Sequence, residues 1–304
     1  MCFITYLIIT MIFITNCYAK ITINITVASS KGGIILHFGG RDTKLISDKE
    51  VNIFNITDVN LKRGIRVEFG DTPNDVYLKD PTPYGNLYQK FKWQQVNREI
   101  IVKSASVLDI INENIVLTVH EHINNATREL KIPIKIFENV ENTFKSSWSK
   151  NGLPDDEIYY DINIDFFNEK KINFENKWRN DSLRTASLLF GYQTAGKINI
   201  APGKAIIMKL RANKTIILLK ITYIAYLTGS FLANYAHLLG TYHFWSPSVS
   251  SIMKAAKLSN KIITTEILEI KCHTDPVLDI FDKKNGNRIP IIFLSRPFRK
   301  RNRK

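Results

Sequence analysis

Apolar side chains recur at every second position through long stretches of this chain, and that period suits only extended strands. Ile21, Ile23, Ile25 and Val27 alternate with Thr22, Asn24 and Thr26, and Ile132, Ile134 and Ile136 alternate in the same way. Val, Ile, Thr, Tyr and Phe dominate these runs, which are the side chains that fit a pleated surface. Gly and Pro punctuate them at Gly32-Gly33, Gly39-Gly40, Pro73, Pro81, Pro83, Gly152, Pro154 and Pro202-Gly203. Helical periodicity is confined to short pieces. In the clearest, Val249, Ile252, Met253 and Ala256 share a face, with Ser246-Pro247 as the expected cap. The class is all-β with a minor helix.

The 304 residues divide in four. Residues 1–19 hold no charged side chain and end in Cys17-Tyr18-Ala19, a small-x-small pattern that reads as a cleaved signal peptide. Residues 20–85 read as a small β-rich head of several short strands, closed by the Pro-rich stretch Asp71–Gly85. Residues 86–290 carry longer strands with few turns, and 291–304 form a basic tail. Loss of the leader removes Cys2 and Cys17, so Cys272 stays as a lone thiol, expected in a buried strand and unable to form an internal disulfide. Five sequons fit a secreted, extracellular chain, at Asn24, Asn55, Asn125, Asn180 and Asn213.

Nothing in the chain assembles a catalytic motif. It has no Gly-x-Ser-x-Gly, no phosphate-binding loop and no His-Glu-x-x-His. Asp161, Asn163 and Asp165 open like a calcium loop, but Phe166 stands where glycine is required and Ile172 where the final glutamate belongs. His120 and His122 share one face of a strand without a third ligand at a fixed spacing, so an exposed strand face is the reading. No catalytic residue, cofactor or metal is implied. The formal net charge is +14, and the last nine residues, with Arg296, Arg299, Lys300, Arg301, Arg303 and Lys304, hold six basic groups and no acid. On a secreted chain this end reads as solvated and free, not as a nucleic-acid site. It would draw the protein to anionic surfaces, and Lys300-Arg301 offers a dibasic cleavage point.

Residues 156–179 form the most specific pattern. Even positions carry Ile158, Tyr160, Ile162, Ile164 and Phe166, then Ile172, Phe174 and Trp178 after a turn at Asn168–Lys171. Odd positions carry Asp161, Asn163 and Asp165, then Asn173, Glu175, Lys177 and Arg179; Asn176 breaks the apolar face. Two readings stand. The hairpin packs one face on a soluble core, or the even face meets lipid and the odd face lines a barrel lumen. The first strand is nine residues, near the roughly 9–11 that a tilted membrane strand needs.

The order of Val140–Trp148, this hairpin, Asn199–Ile207 and a long strand pair ending at Thr228-Gly229 resembles the pore-forming module of aerolysin-type toxins. Asp71–Asp75, Ala105–Asp109, Asn124–Thr127, Ser146–Trp148, Pro202–Ala205, His243–Trp245 and Ser259–Glu266 also resemble spherulin-type proteins and insect follicular epithelium yolk proteins. The resemblance spans most of residues 70–285. It implies an elongated module of long twisted antiparallel strands, self-association into a homo-oligomer, and membrane lipid or a cell-surface glycan as partner. It places the insertion segment at 156–179. His243, Phe244 and Trp245 read as packing residues, with sugar contact as the alternative. A structural or storage component of an egg coat, yolk or secretion is the rival function, and a glycan-binding module the third.

The leader reading has a direct check. Intact mass of deglycosylated secreted protein should correspond to a chain starting near Lys20 with no intrachain disulfide; a retained leader would overturn it.

Overall fold

β10 (Ala205–Thr228) runs for 24 residues without a break, and β5 (Asn97–Ile123) for 27. Strands of this length are uncommon in globular sheets, whose mode is about 5–6 residues. The computed structural model describes residues 20–28, 33–149, 153, 158–166, 170–178, 183–290 and 298–301. The signal-peptide reading of 1–19 lies outside them. In chain order the elements are β1 (Ile21–Ala28), β2 (Gly33–Gly39), β3 (Arg41–Leu45), α1 (Asp48–Ile53), α2 (Asp58–Phe69), β4 (Asp75–Tyr77), α3 (Leu87–Phe91) and β5. There follow β6 (Leu130–Trp148), β7 (Ile158–Phe166), β8 (Lys170–Trp178), β9 (Leu183–Ile200), β10, β11 (Leu232–Leu239), β12 (Tyr242–Trp245), α4 (Val249–Ala255), β13 (Ile262–Asp282) and β14 (Phe298–Arg301). Among the described residues strand accounts for 64% and helix for 13%, which makes the protein all-β with minor helix, as its alternation requires.

The chain forms two compact units. The first takes residues up to Lys103 with Asn151–Trp178 and Tyr223–Ile263; the second takes Ser104–Lys150, Arg179–Thr222 and Thr264–Lys304. A four-stranded sheet in the first unit has the order β2-β1-β7-β8, and a three-stranded sheet the order β12-β11-β4. The head is not made of strands alone. After β3 the chain turns into α1 and α2, because Ser47 and Glu50 form a reciprocal capping box and Gly70 ends α2 at φ 81°. Ser47-x-x-Glu50 and Gly70 are the sequence signals that mark these helices; the β-rich surroundings mask them. α2 packs on α4, where a Cβ at Gly64 would lie 2.6 Å from the Ile252 carbonyl oxygen. Glycine in mid-helix costs about 1 kcal/mol, and here it allows the close approach. In α4 the expected face is buried through Val249, Ile252, Met253 and Ala256, but the cap is Ser248 rather than Ser246.

An ion cluster ties the head together. Arg98 on β5 is 1% exposed and bonds Asp42 on β3 and, at 2.8 Å, Glu50 on α1. Glu50 uses one carboxylate oxygen for Arg98 and the other for the Ser47 amide. Every partner is therefore satisfied, which a buried charge demands.

In the larger sheet the order is β14-β9-β6-β13-β10-β5-β3. Along β6 the even positions from Ile132 through Phe144 to Trp148 are buried except the half-buried Glu138, and β13 matches with Leu268, Ile270 and Cys272. The two strands pair even with even, Ile270 opposite Phe144 and Leu268 opposite Ser146. Cys272 is the buried strand thiol the sequence predicts. Each fully buried Ile or Leu contributes about 1.5–3 kcal/mol. In β10 the buried set passes from even to odd positions across Asn213 and Lys214.

His273 is 5% exposed on β13, and both its amide and its ring Nδ1 face Asn142 Oδ1, at 2.9 and 3.2 Å. Burial, aided by Lys271 and Lys214, pulls its pKa down to about 4. The unfolded chain therefore binds this proton first. Stability should fall as pH drops below about 6.5 and the loss should be complete below about 4, amounting to about 3 kcal/mol. Melting temperature against pH for wild type and His273→Asn tests this: the variant should lose the part of the acid slope between those values, and an identical slope would assign it to the carboxylates.

Candidate functional site

β7 and β8 pair antiparallel with Ile158 opposite Trp178, Tyr160 opposite Asn176, Ile162 opposite Phe174 and Ile164 opposite Ile172. Odd residues meet odd residues, Asp161 with Glu175, Asn163 with Asn173 and Asp165 with Lys171. The register thus keeps the apolar and polar sets on separate faces, because facing residues in an antiparallel pair project to the same side. Residues 167–169 and Arg179 lie outside the described residues. Side-chain description extends to Ile158, Ile162 and Ile164, all 0–1% exposed, and to Asp161 and Asn163, which are half-buried.

What the pattern alone does not reveal is the partner strand. β1 runs parallel to β7, with Ile23 beside Ile162, Asn24 beside Asn163 and Ile25 beside Ile164. Both strands alternate in the same phase, so Ile21, Ile23 and Ile25 are buried with the hairpin's isoleucines. Across the polar face Asn163 Nδ2 donates to Asn24 Oδ1 at 2.9 Å, and Lys20 Nζ lies 3.2 Å from Asp161 Oδ2. The matched isoleucine triplets around Asn24 and Asn163 are the sequence signal for this pairing. Their separation of 139 residues hides it.

The other expected sites separate. Asn55, Asn125 and Asn213 are exposed; Asn24 is half-buried and holds the bond to Asn163; Asn180 lies outside the described residues. His120 and His122 sit on β5, the first exposed and the second half-buried, and burial followed by His120 pulls the His122 pKa down. His243, Phe244 and Trp245 lie at the surface of the first unit. With Phe91, Trp93 and Tyr242 they line a surface cavity of about 660 Å³, while His243 Nδ1 bonds the Tyr235 carbonyl and Trp245 Nε1 donates to the Leu239 and Tyr242 carbonyls.

The tail departs from expectation. Instead of a free end, Phe298–Arg301 form β14, paired antiparallel with β9, Phe298 opposite Gly191 and Arg301 opposite Leu188. The reason is physical: β9 otherwise presents a row of unpaired backbone groups on that side. Arg296, Arg303 and Lys304 lie outside the described residues.

Its long antiparallel strands give the chain an aerolysin-like β-fold. Parasporin-2, a Bacillus thuringiensis toxin that recognizes cancer cells, superposes with a TM-score of 0.57 over 79% of this chain and 97% of its own, at 12% identity. That likeness concerns the fold. In sequence the chain is 26% identical over 284 residues to U-megalopygitoxin(8)-Mo12 of Megalopyge opercularis, covering 91% of this chain and 97% of that protein. It is 24% identical to U-megalopygitoxin(8)-Mc8 of Megalopyge crispata over 287 residues, 92% and 98% of the two chains. No family model matches. Among the described residues no helix is long and apolar enough to cross a membrane.

Deleting Arg296–Lys304 should have two effects. Binding to acidic vesicles should weaken at low salt and become equal to wild type near 1 M, where the Debye length is about 3 Å. Amides on the outer side of Leu188–Gly191 should exchange faster by mass spectrometry; unchanged exchange there would mean that β14 does not cover β9 in solution.

Proposed function

We propose that the protein is a secreted, non-enzymatic, toxin-like β-protein that self-associates and inserts the 156–179 hairpin into a membrane. The observation that carries this reading is the hairpin register, which pairs Ile158 with Trp178, Ile162 with Phe174 and Ile164 with Ile172 along one face and Asp161 with Glu175, Asn163 with Asn173 and Asp165 with Lys171 along the other. In a barrel, Ile158, Tyr160, Ile162, Ile164, Phe166, Ile172, Phe174 and Trp178 would meet lipid, and Asp161, Asn163, Asp165, Asn173, Glu175, Lys177 and Arg179 the lumen. Asn176, opposite Tyr160, and Lys170, opposite Phe166 at the turn, are the polar residues on the lipid side. β7 and β8 are nine residues each, close to the length a tilted membrane strand requires. The similarity to two proteins named as toxins supports the same reading. Basic residues of the tail would concentrate the protein on anionic lipid at about 1 kcal/mol each.

Insertion requires the hairpin to leave β1. The buried isoleucine face, the Lys20–Asp161 ion pair and the Asn24–Asn163 bond hold it in the soluble form, and lipid would replace that apolar surface. The same pairing favours a second reading, in which the hairpin stays in its sheet and the protein is a structural or storage component of a secretion.

A reversible lock separates the two. Asn24 and Asn163 are direct neighbours in the β1–β7 register, so Asn24→Cys with Asn163→Cys should form a disulfide that pins the hairpin. Dye release from anionic vesicles should be abolished in the oxidised variant and return on reduction. Release by the oxidised variant would show that another segment inserts, and no release by wild type would favour the structural component.

A further inference from the structure

The sequon Asn213-Lys214-Thr215 falls in the middle of β10, at the point where the buried set changes parity. That exchange sets the exposed Asn213 and the half-buried Lys214 side by side between the buried Ala212 and Thr215. Three contacts hold the segment against β5. Asn114 Nδ2 donates to Asn213 Oδ1 at 3.1 Å, Lys214 Nζ to Glu113 Oε2 at 2.8 Å, and Thr215 Oγ1 to Asn112 Oδ1 at 2.8 Å. Asn213 Nδ2 has no partner among the described residues. The sheet thus uses the amide oxygen of Asn213 and leaves its nitrogen to solvent.

The neighbouring strand lacks a cover. β3 pairs with β5 over Asn97–Ile101, and beyond Ile101 no described strand lies on that side of β5. Leu108 and Val116 stand an even number of residues from Asn112 and Asn114, so they share one side of the strand. They are 53% and 52% exposed. Natural sheets protect such edges with charge, proline, or a covering segment. The sequon at Asn24 has the opposite setting: Asn24 is half-buried, with β2 and β7 on either side and Asn163 bonded to its Oδ1. Among the described sequon asparagines, Asn213 alone lies in a strand of the larger sheet.

We propose that Asn213 carries an N-linked glycan and that this glycan covers the outer strand around Val116. The proposal rests on the secreted reading, because the donor is a lipid-linked oligosaccharide diphosphate of the secretory route. Asn213 Nδ2 attacks C1 of the first sugar. The C–N bond forms as the C1–O bond to the diphosphate breaks, the lipid diphosphate leaves, and Nδ2 gives up one proton. Transfer takes place on the unfolded chain, so the burial of Thr215 in the finished sheet does not oppose it. The finished sheet has only to leave room for the product, and the exposed, unpartnered Nδ2 does so. The linked amide keeps its oxygen, so the bond from Asn114 survives. A hydrated branch beside Leu108 and Val116 screens both side chains and obstructs the addition of a strand along β5.

The experiment uses the full chain secreted from insect cells. Glycopeptide mass spectrometry should find the Asn213 peptide modified, and Thr215→Ser should keep the glycan. Asn213→Asp removes the acceptor amide but retains the oxygen that accepts from Asn114, so the sheet is preserved. In that variant, and in wild type after enzymatic release of the glycan, carbene labelling of Val116 should rise above that of intact wild type. Labelling of Tyr242, which is 64% exposed in the other unit, should stay the same. A bare Asn213 on molecules that have lost the leader and carry a glycan at Asn55 or Asn125 would overturn this proposal alone. A retained leader with every sequon bare would overturn the secreted reading and this proposal together. Equal labelling of Val116 before and after release would overturn the covering role.

Discussion

A strand with one buried face tolerates a single register, because a slip of one residue turns its whole apolar set toward water. β6 and β13 show how strictly this holds here: even positions meet even positions along the pair, and the polar members obey the same rule. Ser146 and Glu266 are both buried on that face, and they stay there because the Ser146 hydroxyl donates to the Glu266 carboxylate at 2.6 Å. β10 obeys the rule in two segments, exchanging buried parity at Asn213 and Lys214. The hairpin and β1 are a smaller instance of the same constraint.

That constraint makes the hairpin ambiguous in a useful way. A face of Ile158, Ile162 and Ile164 satisfies a protein core and a hydrocarbon layer equally well, since each removes the same apolar area from water. What differs is the polar edge. In the packed sheet Asp161 has Lys20 and Asn163 has Asn24, partners that a hydrocarbon layer would not supply.

Arg98 sets the geometry on which the head depends. A guanidinium 1% exposed has a high desolvation cost, so β3, α1 and β5 must converge to supply Asp42 and Glu50. The sharing of Glu50 between Arg98 and the α1 cap couples a local helix signal to a contact 48 residues away.

Local periodicity, of two for strands and 3.6 for the helix, was enough to read the strand-rich class, the buried face of β6, the helix face around Ile252 and the even-odd partition of the 156–179 hairpin, because each depends on neighbours within a few residues. Ser47, Glu50 and Gly70 also carried local helix signals, outweighed in reading by the β-branched residues around them. Other features were decided only by tertiary structure. The parallel placement of β1 on β7, the edge position of β14 and the aromatic cavity formed by Phe91, Trp93 and Trp245 all join segments far apart in the chain. Strand pairing matches backbone groups that every residue carries, so a sequence states that a strand exists while the packing of the whole sheet chooses its neighbour.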